Sequence, residues 1–272
     1  MAIAAPSRVT RHARLKRSPL ALVISQVRFP PVFKVMDQDF ISPVQEAIRD
    51  KYPVVGQEHE IQMILGPQGV QQSPGQKQWR FMSVDGMWSI VLGQTAVTLE
   101  ARSYTDASEY FERFAEVLNV VRTHVRPSLV ERLGLRYVNE FRQPQCDSAQ
   151  SWHGLIDGGF LGPLDGELGK RFRVSRTIQD ITLEKGPGEL VSLKHGFIPD
   201  GTTVTAIPSP DARMPAVGPF YLLDIDHFSL RRHPFEIDGM METLDKFHSV
   251  IYDLFRLAIT PDLYERLEPA RG

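Results

Sequence analysis

The sequence predicts an α+β protein built from two similar β-α-β-β-β-α halves, in which mainly antiparallel sheets pack against helices. Segments of alternating apolar and polar residues predict the strands, and hairpin signals between them indicate antiparallel neighbours. Two long amphipathic segments, at residues 106–126 and 240–259, each close one half. Directly after them, residues 127–133 and 261–267 are identical at five of seven positions, which indicates an internal duplication.

Composition limits the class of protein and the predicted domain boundaries. The 272 residues are 42% hydrophobic, which suffices for a globular core, and a net charge of −2 excludes a polyelectrolyte binder as a whole. A single cysteine cannot form an internal disulfide, so we expect a reducing, cytoplasmic compartment. No apolar run approaches the roughly 20 residues that cross a bilayer, so no membrane contact is expected. The predicted units are a disordered basic tail (1–18), a first half (19–130) and a second half (131–272).

The first half is predicted to begin with a strand and a short helix. Alternation over residues 22–29 predicts the strand, and the prolines at positions 30 and 31 end it. Ser42 followed by Pro43 has the pattern of a helix N-cap and first helical position, and Pro53 stops that helix.

The rest of the first half is predicted to be a series of strands that leads into a long helix. Residues 66–78 are polar and contain Gly and Pro, which predicts a loop, whereas Asp85-Gly86 predicts a tight hairpin. Asp106 with Glu109 three residues later predicts a capped helix start. The predicted strands cover 60–65, 79–83, 88–92 and 96–104, and the buried helix face is predicted to hold Tyr110, Phe111, Phe114, Val117, Leu118, Val121 and Val125.

The second half repeats this plan with less regular segments. Its first strand is predicted at 132–141, and a glycine-containing helix at 151–160. Asp238 is predicted to cap the closing helix. Strands are predicted at 172–184, 189–197 and 220–230, with a proline-rich loop at 199–219; the closing helix is predicted to bury Met241, Leu244, Phe247, His248, Ile251, Leu254, Phe255 and Ala258.

Several short motifs resemble a sporadically distributed bacterial family of uncharacterised proteins. The central one has the form R-x-G-L-R-Y-x-N and covers residues 132–139. Shorter matches lie at residues 27–29, 223–226 and 259–260, so the resemblance spans about residues 19–260. The resemblance implies a cytoplasmic bacterial protein with a patchy occurrence that is typical of defence-associated or toxin-control genes. It implies no activity.

The strand at 132–141 carries the best candidates for ligand or partner binding, which are Arg136, Tyr137 and Asn139. Side chains alternate between the two faces of a strand, so Tyr137 and Asn139 share a mainly apolar face and Arg136 points the other way. A buried asparagine needs hydrogen-bond partners. Asn139 therefore either holds a neighbouring loop or meets a ligand, and the sequence leaves both open.

Asp224 and Asp226 are further candidates because they share one face of a predicted strand. Two such carboxylates can hold a divalent ion or serve acid-base chemistry, which gives the alternative of a nuclease-like, metal-dependent enzyme. His227 points to the opposite face and cannot complete that site. The competing interpretation is that both carboxylates face solvent and pair with Arg132 and Arg136 across the sheet.

The basic tail gives a second alternative, weak and salt-sensitive binding of nucleic acid. The acidic remainder of the chain would oppose such binding. The tail residues concerned are Arg8, Arg11, Arg14, Lys16 and Arg17.

Motifs for known chemistry do not occur in the chain, which lacks a dinucleotide loop, a phosphate loop and a nucleophile elbow. We therefore predict no catalytic residues, no metal and no cofactor, and the sequence favours a non-enzyme. The first hypothesis is a non-catalytic binding protein. It would bind a protein partner, a second copy of itself or a small ligand at the junction of the two halves.

Overall fold

One large antiparallel sheet dominates the structure. The structure is a computed structural model that describes residues 14–66, 69–199 and 218–268, and only the backbone is given for 60–66, 69–75 and 163. The predicted α+β class is confirmed. The sheet consists of β1 (Leu20–Arg28), β2 (Val54–Gly66), β3 (Gly69–Met82), β4 (Trp88–Gly93), β5 (Ala96–Ala101), β7 (Arg132–Phe141), β8 (Gln179–Gly186), β9 (Glu189–Ile198) and β10 (Phe220–Ser229). Two short strands, β6 (Leu129–Val130) and β11 (His233–Pro234), pair with each other outside it.

The strand order is mirrored about the centre of the sheet. It runs β2-β3-β4-β5-β1-β7-β10-β9-β8, and all neighbours are antiparallel. In the central pair, Val23 of β1 lies opposite Tyr137 of β7. The two halves thus share one continuous sheet, and β2 is an additional strand in the first half. The mirrored order is consistent with a duplicated unit, and the duplication itself stays a prediction.

The long helices pack against one face of this sheet. The helices are α1 (Gln38–Ile48), α2 (Ala107–His124), α3 (Gly158–Leu161), α4 (Glu167–Arg171), α5 (Ile237–Ala258) and α6 (Pro261–Arg266). Helix α2 contacts β5 and α5, and α5 also contacts β7 and β10. The face of α2 that the sequence predicts to be inside is buried throughout, from Tyr110 to Val125. The core therefore lies between the helices and one face of the sheet. The other face carries ion pairs between strands, formed by Arg80, Arg132 and Arg136.

The predicted helix caps are confirmed at one helix and wrong at two. Asp106 accepts a hydrogen bond from the backbone N–H of Glu109 at 3.0 Å, as a capping residue does. Helix α1 instead begins four residues before Ser42, whose hydroxyl donates to the carbonyl of Gln38 at 2.8 Å. Helix α5 begins at Ile237, so Asp238 lies in its first turn rather than at its cap.

Two further segments differ from the sequence prediction. The predicted loop at 66–78 belongs to a long hairpin, because β3 begins at Gly69 and pairs with β2. The predicted helix at 151–160 is a short 3-10 helix, Gln150–Trp152, followed by α3. Most of the predicted loop at 199–219 lies outside the described residues. The hairpin at Asp85-Gly86 and the strand at 132–141 are confirmed.

The start of the described chain packs against its end. The backbone N–H groups of Lys16 and Arg17 donate to the carbonyls of Glu268 and Leu267, each at 3.1 Å. The side chains of Arg17 and Glu268 also form an ion pair at 2.8 Å. Residues 14–17 are thus held at the surface beside the C-terminal helix. Arg8 and Arg11 lie outside the described residues.

Candidate functional site

A cavity of about 960 Å³ lies at the junction of the two halves. Its walls come from the first turn of α2, the second half of α5, the strand β7 and the segment 14–20. Helix α2 belongs to the predicted first half and α5 to the predicted second half, so the cavity lies between elements of both. Its volume falls within the range of about 300–1,000 Å³ that small-molecule pockets occupy.

Strand β7 places two of the predicted candidates in this cavity. Tyr137 and Asn139 point to the helix-covered face and line the cavity, as the alternation along the strand predicted. Asn139 is only 4% exposed, and its Nδ2 donates to the carbonyl of Leu223 at 3.2 Å. Among the described residues, its Oδ1 has no hydrogen-bond partner. Asn139 therefore ties β7 to β10 and still presents an acceptor beside the cavity.

A chain of three hydrogen-bonding side chains crosses the cavity wall. The hydroxyls of Tyr104 and Tyr137 lie 3.0 Å apart, and the hydroxyl of Tyr137 lies 3.0 Å from Nδ1 of His248. Tyr104 follows β5, Tyr137 is on β7 and His248 is on α5, so the chain links both halves. The sequence predicted His248 as a packing residue on the buried face of its helix and did not single out Tyr104.

The two tyrosines remain protonated at neutral pH. Burial raises the pKa of Tyr104 and that of Tyr137. The negative charges of neighbouring groups, Asp106 near Tyr104 and Asp245 near Tyr137, act in the same direction. Both phenols are therefore hydrogen-bonding groups that keep their protons.

The mouth of the cavity is charged and its floor is apolar. Arg14 and Lys16 line it from the N-terminal segment, and the Asp106 carboxylate lines it from the start of α2. Apolar contacts come from Leu20, Ile251 and Phe255, among others. A polar end and an apolar end suit a small organic molecule that has both kinds of surface.

The other three predicted binding residues lie on the opposite face of the sheet. Arg136 donates two hydrogen bonds to Asp224, from Nε at 2.7 Å and from Nη2 at 2.6 Å. Arg132 donates to Asp226 at 2.8 Å. The five predicted binding residues are thus divided between the two faces of the sheet. One interpretation of the aspartates was that they face solvent and pair with the arginines across strands. The pairing is present, but Asp224 is buried and does not face solvent.

These ion pairs bear directly on the metal hypothesis. His227 lies on the face away from both aspartates, as expected, with Nε2 3.0 Å from a carboxylate oxygen of Glu189. Burial raises the pKa of Asp226, while Arg132 and Arg136 lower it. No cluster of three or more possible metal ligands occurs in the part of the chain that the structure describes. Each aspartate is held by an arginine, which leaves little capacity for a cation.

A second ion-pair cluster on the same face was missed by the sequence analysis. Arg80 of β3 donates two hydrogen bonds to Glu58 of β2, at 2.7 and 2.9 Å. Its third hydrogen bond goes to Glu100 of β5 at 2.7 Å. Arg80 and Glu100 are both about 90% buried. The cluster spans β4, which lies between β3 and β5 in the sheet. Alternation along each strand places Arg80, Glu58 and Glu100 on this face. The sequence around each of them gives no sign that their side chains meet.

No protein-family model matches the chain, and a search of curated proteins finds no match. Within the described residues, no helix combines the length and the hydropathy needed to cross a membrane.

Proposed function

We propose that this protein is a non-catalytic binding protein that takes a small organic ligand into the cavity between its two halves. The observation that carries the proposal is the cavity itself. It has a volume of about 960 Å³, apolar walls, a chain of three hydrogen-bonding side chains and a buried asparagine. Ligand sites combine an apolar lining with a few convergent polar groups in this way.

Binding is favoured over catalysis by the state of the polar groups. A phenol is neutral at physiological pH unless its pKa is lowered, and burial instead raises the pKa of Tyr104 and that of Tyr137. Neutral phenols orient a ligand through hydrogen bonds, whereas a nucleophile or a general base requires a lowered pKa or an adjacent activating group. His248 already contacts Tyr137. These groups are therefore suited to recognising a ligand.

The two alternatives have weaker support. The metal-dependent enzyme requires Asp224 and Asp226 to bind a cation, although each is paired with an arginine. A Mn²⁺ titration of the wild type and of the Asp224→Ala/Asp226→Ala variant tests this alternative. We expect the two proteins to respond to Mn²⁺ in the same way. Nucleic-acid binding by the tail is limited by Arg17, which pairs with Glu268. A protein partner or a homodimer, and a role in bacterial defence, remain proposals; the latter rests on the family resemblance alone.

A cavity-filling substitution tests the proposal. In Ser108→Trp, the indole would occupy the cavity from the first turn of α2, whereas Thr123→Trp places the same group on an exposed position of the last turn. Native mass spectrometry and thermal shift with a metabolite library should detect ligands for the wild type and for Thr123→Trp. We expect Ser108→Trp to lose them. Ligands that bind all three proteins equally, or a library without any binder, would overturn the proposal.

A further inference from the structure

We infer that the ligand of this cavity carries an anionic group, such as a carboxylate, on an apolar or aromatic body. The inference rests on the proposed function and adds the chemical class of the ligand. Three features of the cavity wall carry it: the charges at the mouth, the start of α2 and the chain of hydroxyls.

The charges at the mouth are positive in sum. Arg14 and Lys16 line the cavity, and neither forms a salt bridge with a described residue. Their neighbour Arg17, in contrast, is paired with Glu268. The acid that lines the same mouth, Asp106, is engaged with the backbone N–H of Glu109. Two cations without an acidic partner raise the local concentration of an anion and favour its binding.

The start of α2 adds backbone donors to these charges. Asp106 accepts from the N–H of Glu109, so the N–H groups of Ala107 and Ser108 have no partner among the described residues. Both residues line the cavity. N–H groups at a helix N-terminus and the helix dipole together favour negative charge. This end of α2 is therefore a favourable place for a carboxylate.

The chain of hydroxyls can adapt to an anion. Tyr104 and Tyr137 each have one proton to donate, and Nδ1 of His248 is the third member of the chain. When that nitrogen donates to Tyr137, Tyr137 donates to Tyr104, and the proton of Tyr104 is left for the cavity. A bound carboxylate accepts that proton and so selects this direction of the chain. Oδ1 of Asn139 remains an acceptor for a polar group elsewhere on the ligand.

A matched pair of probes tests the inference. 2-Naphthoate and 2-naphthamide have the same bicyclic body and differ in charge, and isothermal titration calorimetry measures both at low salt. We expect naphthoate to bind the wild type at least about tenfold more tightly. Arg14→Gln/Lys16→Gln should weaken naphthoate by about fivefold or more and leave naphthamide within about twofold. The control Lys34→Gln/Arg49→Gln removes the same charge from exposed positions outside the cavity and should change neither probe.

The outcomes separate this inference from the proposed function. Equal affinities for the two probes, or an unchanged naphthoate affinity in Arg14→Gln/Lys16→Gln, would overturn the anionic class. Naphthamide binding that Ser108→Trp abolishes would then still support a small-molecule cavity. If neither probe binds at millimolar concentration, the inference of an anionic ligand is overturned, and the metabolite library decides on the cavity separately.

Discussion

The hydroxyl of Tyr137 lies 3.0 Å from Nδ1 of His248, and this contact joins strand β7, next to the centre of the sheet, to α5, the longest described helix. Both side chains are buried, at 8% and 6% exposure. Tyr137→Phe removes the middle of the chain and leaves the hydroxyl of Tyr104 without this partner. We expect Tyr137→Phe to lower the free energy of unfolding by about 1–3 kcal/mol, since the buried Nδ1 of His248 loses its contact with the Tyr137 hydroxyl.

Tyr104→Phe is the matched comparison for that prediction. Tyr104 is at the end of the chain and half-buried, so its loss leaves the contact between Tyr137 and His248 intact. We expect a smaller effect, about 0.5–1 kcal/mol. Urea unfolding of both variants measures the difference. If Tyr104→Phe lowered the free energy of unfolding more than Tyr137→Phe, the described order of the three hydrogen-bonding side chains would be wrong.

Arg80 is expected to hold the first half of the sheet together across three strands. Arg80→Met leaves the buried carboxylate of Glu100 without its cation, which should cost about 3 kcal/mol. Adding Glu100→Gln removes the stranded charge and should recover part of that loss. Arg80→Lys should also be destabilising, because one ammonium cannot reproduce the fork between two glutamates. Thermal and urea unfolding measure all three variants. An Arg80→Lys protein as stable as the wild type would show that the fork is not needed.

The pair of Arg136 and Asp224 should respond unequally to the loss of either partner. The Asp224 side chain is 4% exposed and that of Arg136 is 37% exposed. Arg136→Ala therefore leaves a carboxylate inside the protein, which should cost about 2–4 kcal/mol. Asp224→Ala leaves an arginine that reaches solvent, so about 1–2 kcal/mol is expected. Urea unfolding compares them, and the reverse order would contradict the burial assigned to this pair.

The sequence predicted those features of the fold that depend on side-chain periodicity. Strand β7 and helix α2 have clean patterns, and their bounds and buried faces agree with the prediction. The hairpin of β2 and β3 was missed because residues 66–78 are polar and contain Gly and Pro. Its ladder consists of backbone hydrogen bonds, which need no apolar pattern.

The candidate site was predictable only in part. Alternation along β7 placed Tyr137 and Asn139 on the buried face, where the cavity is. The contact with His248 joins residues 111 positions apart, and no local pattern marks it. The sequence contained one indication of a polar contact here, which is that His248 lies on the otherwise apolar face of α5. Pairing across strands likewise depends on the order β1-β7-β10, which the sequence did not predict.

Asp106 and Ser42 have similar sequence contexts but should differ as helix caps. Asp106 accepts the hydrogen bond that caps α2, so Asp106→Ala should cost about 0.5–2 kcal/mol. Ser42 lies inside α1 and its hydroxyl donates to the carbonyl of Gln38, so Ser42→Ala should be nearly neutral. Chemical unfolding of both variants checks the difference. Equal losses would mean that α1 begins at Ser42 after all.

Two buried histidines should make the protein less stable as the pH falls from 7 to 5. Burial lowers the pKa of His195, and it lowers that of His227 although Glu189 acts against the shift. The unfolded chain therefore takes up protons first, below a pKa of about 6.5, and the stability from the neutral rings is lost as the pH falls through the lowered values. Lys185 also disfavours a charge on His227.

Substitutions that keep the hydrogen bonds but cannot titrate test this dependence. The amide of Asn can replace Nδ1 of His195 toward Tyr221, and that of Gln can replace Nε2 of His227 toward Glu189. We expect both variants to show a smaller fall in the urea midpoint between pH 7 and 5, whereas His59→Gln at an exposed position should show the full fall. Asp226, whose pKa burial raises, acts in the opposite direction in all of them. A fall that is the same in every variant would assign the pH dependence to other groups.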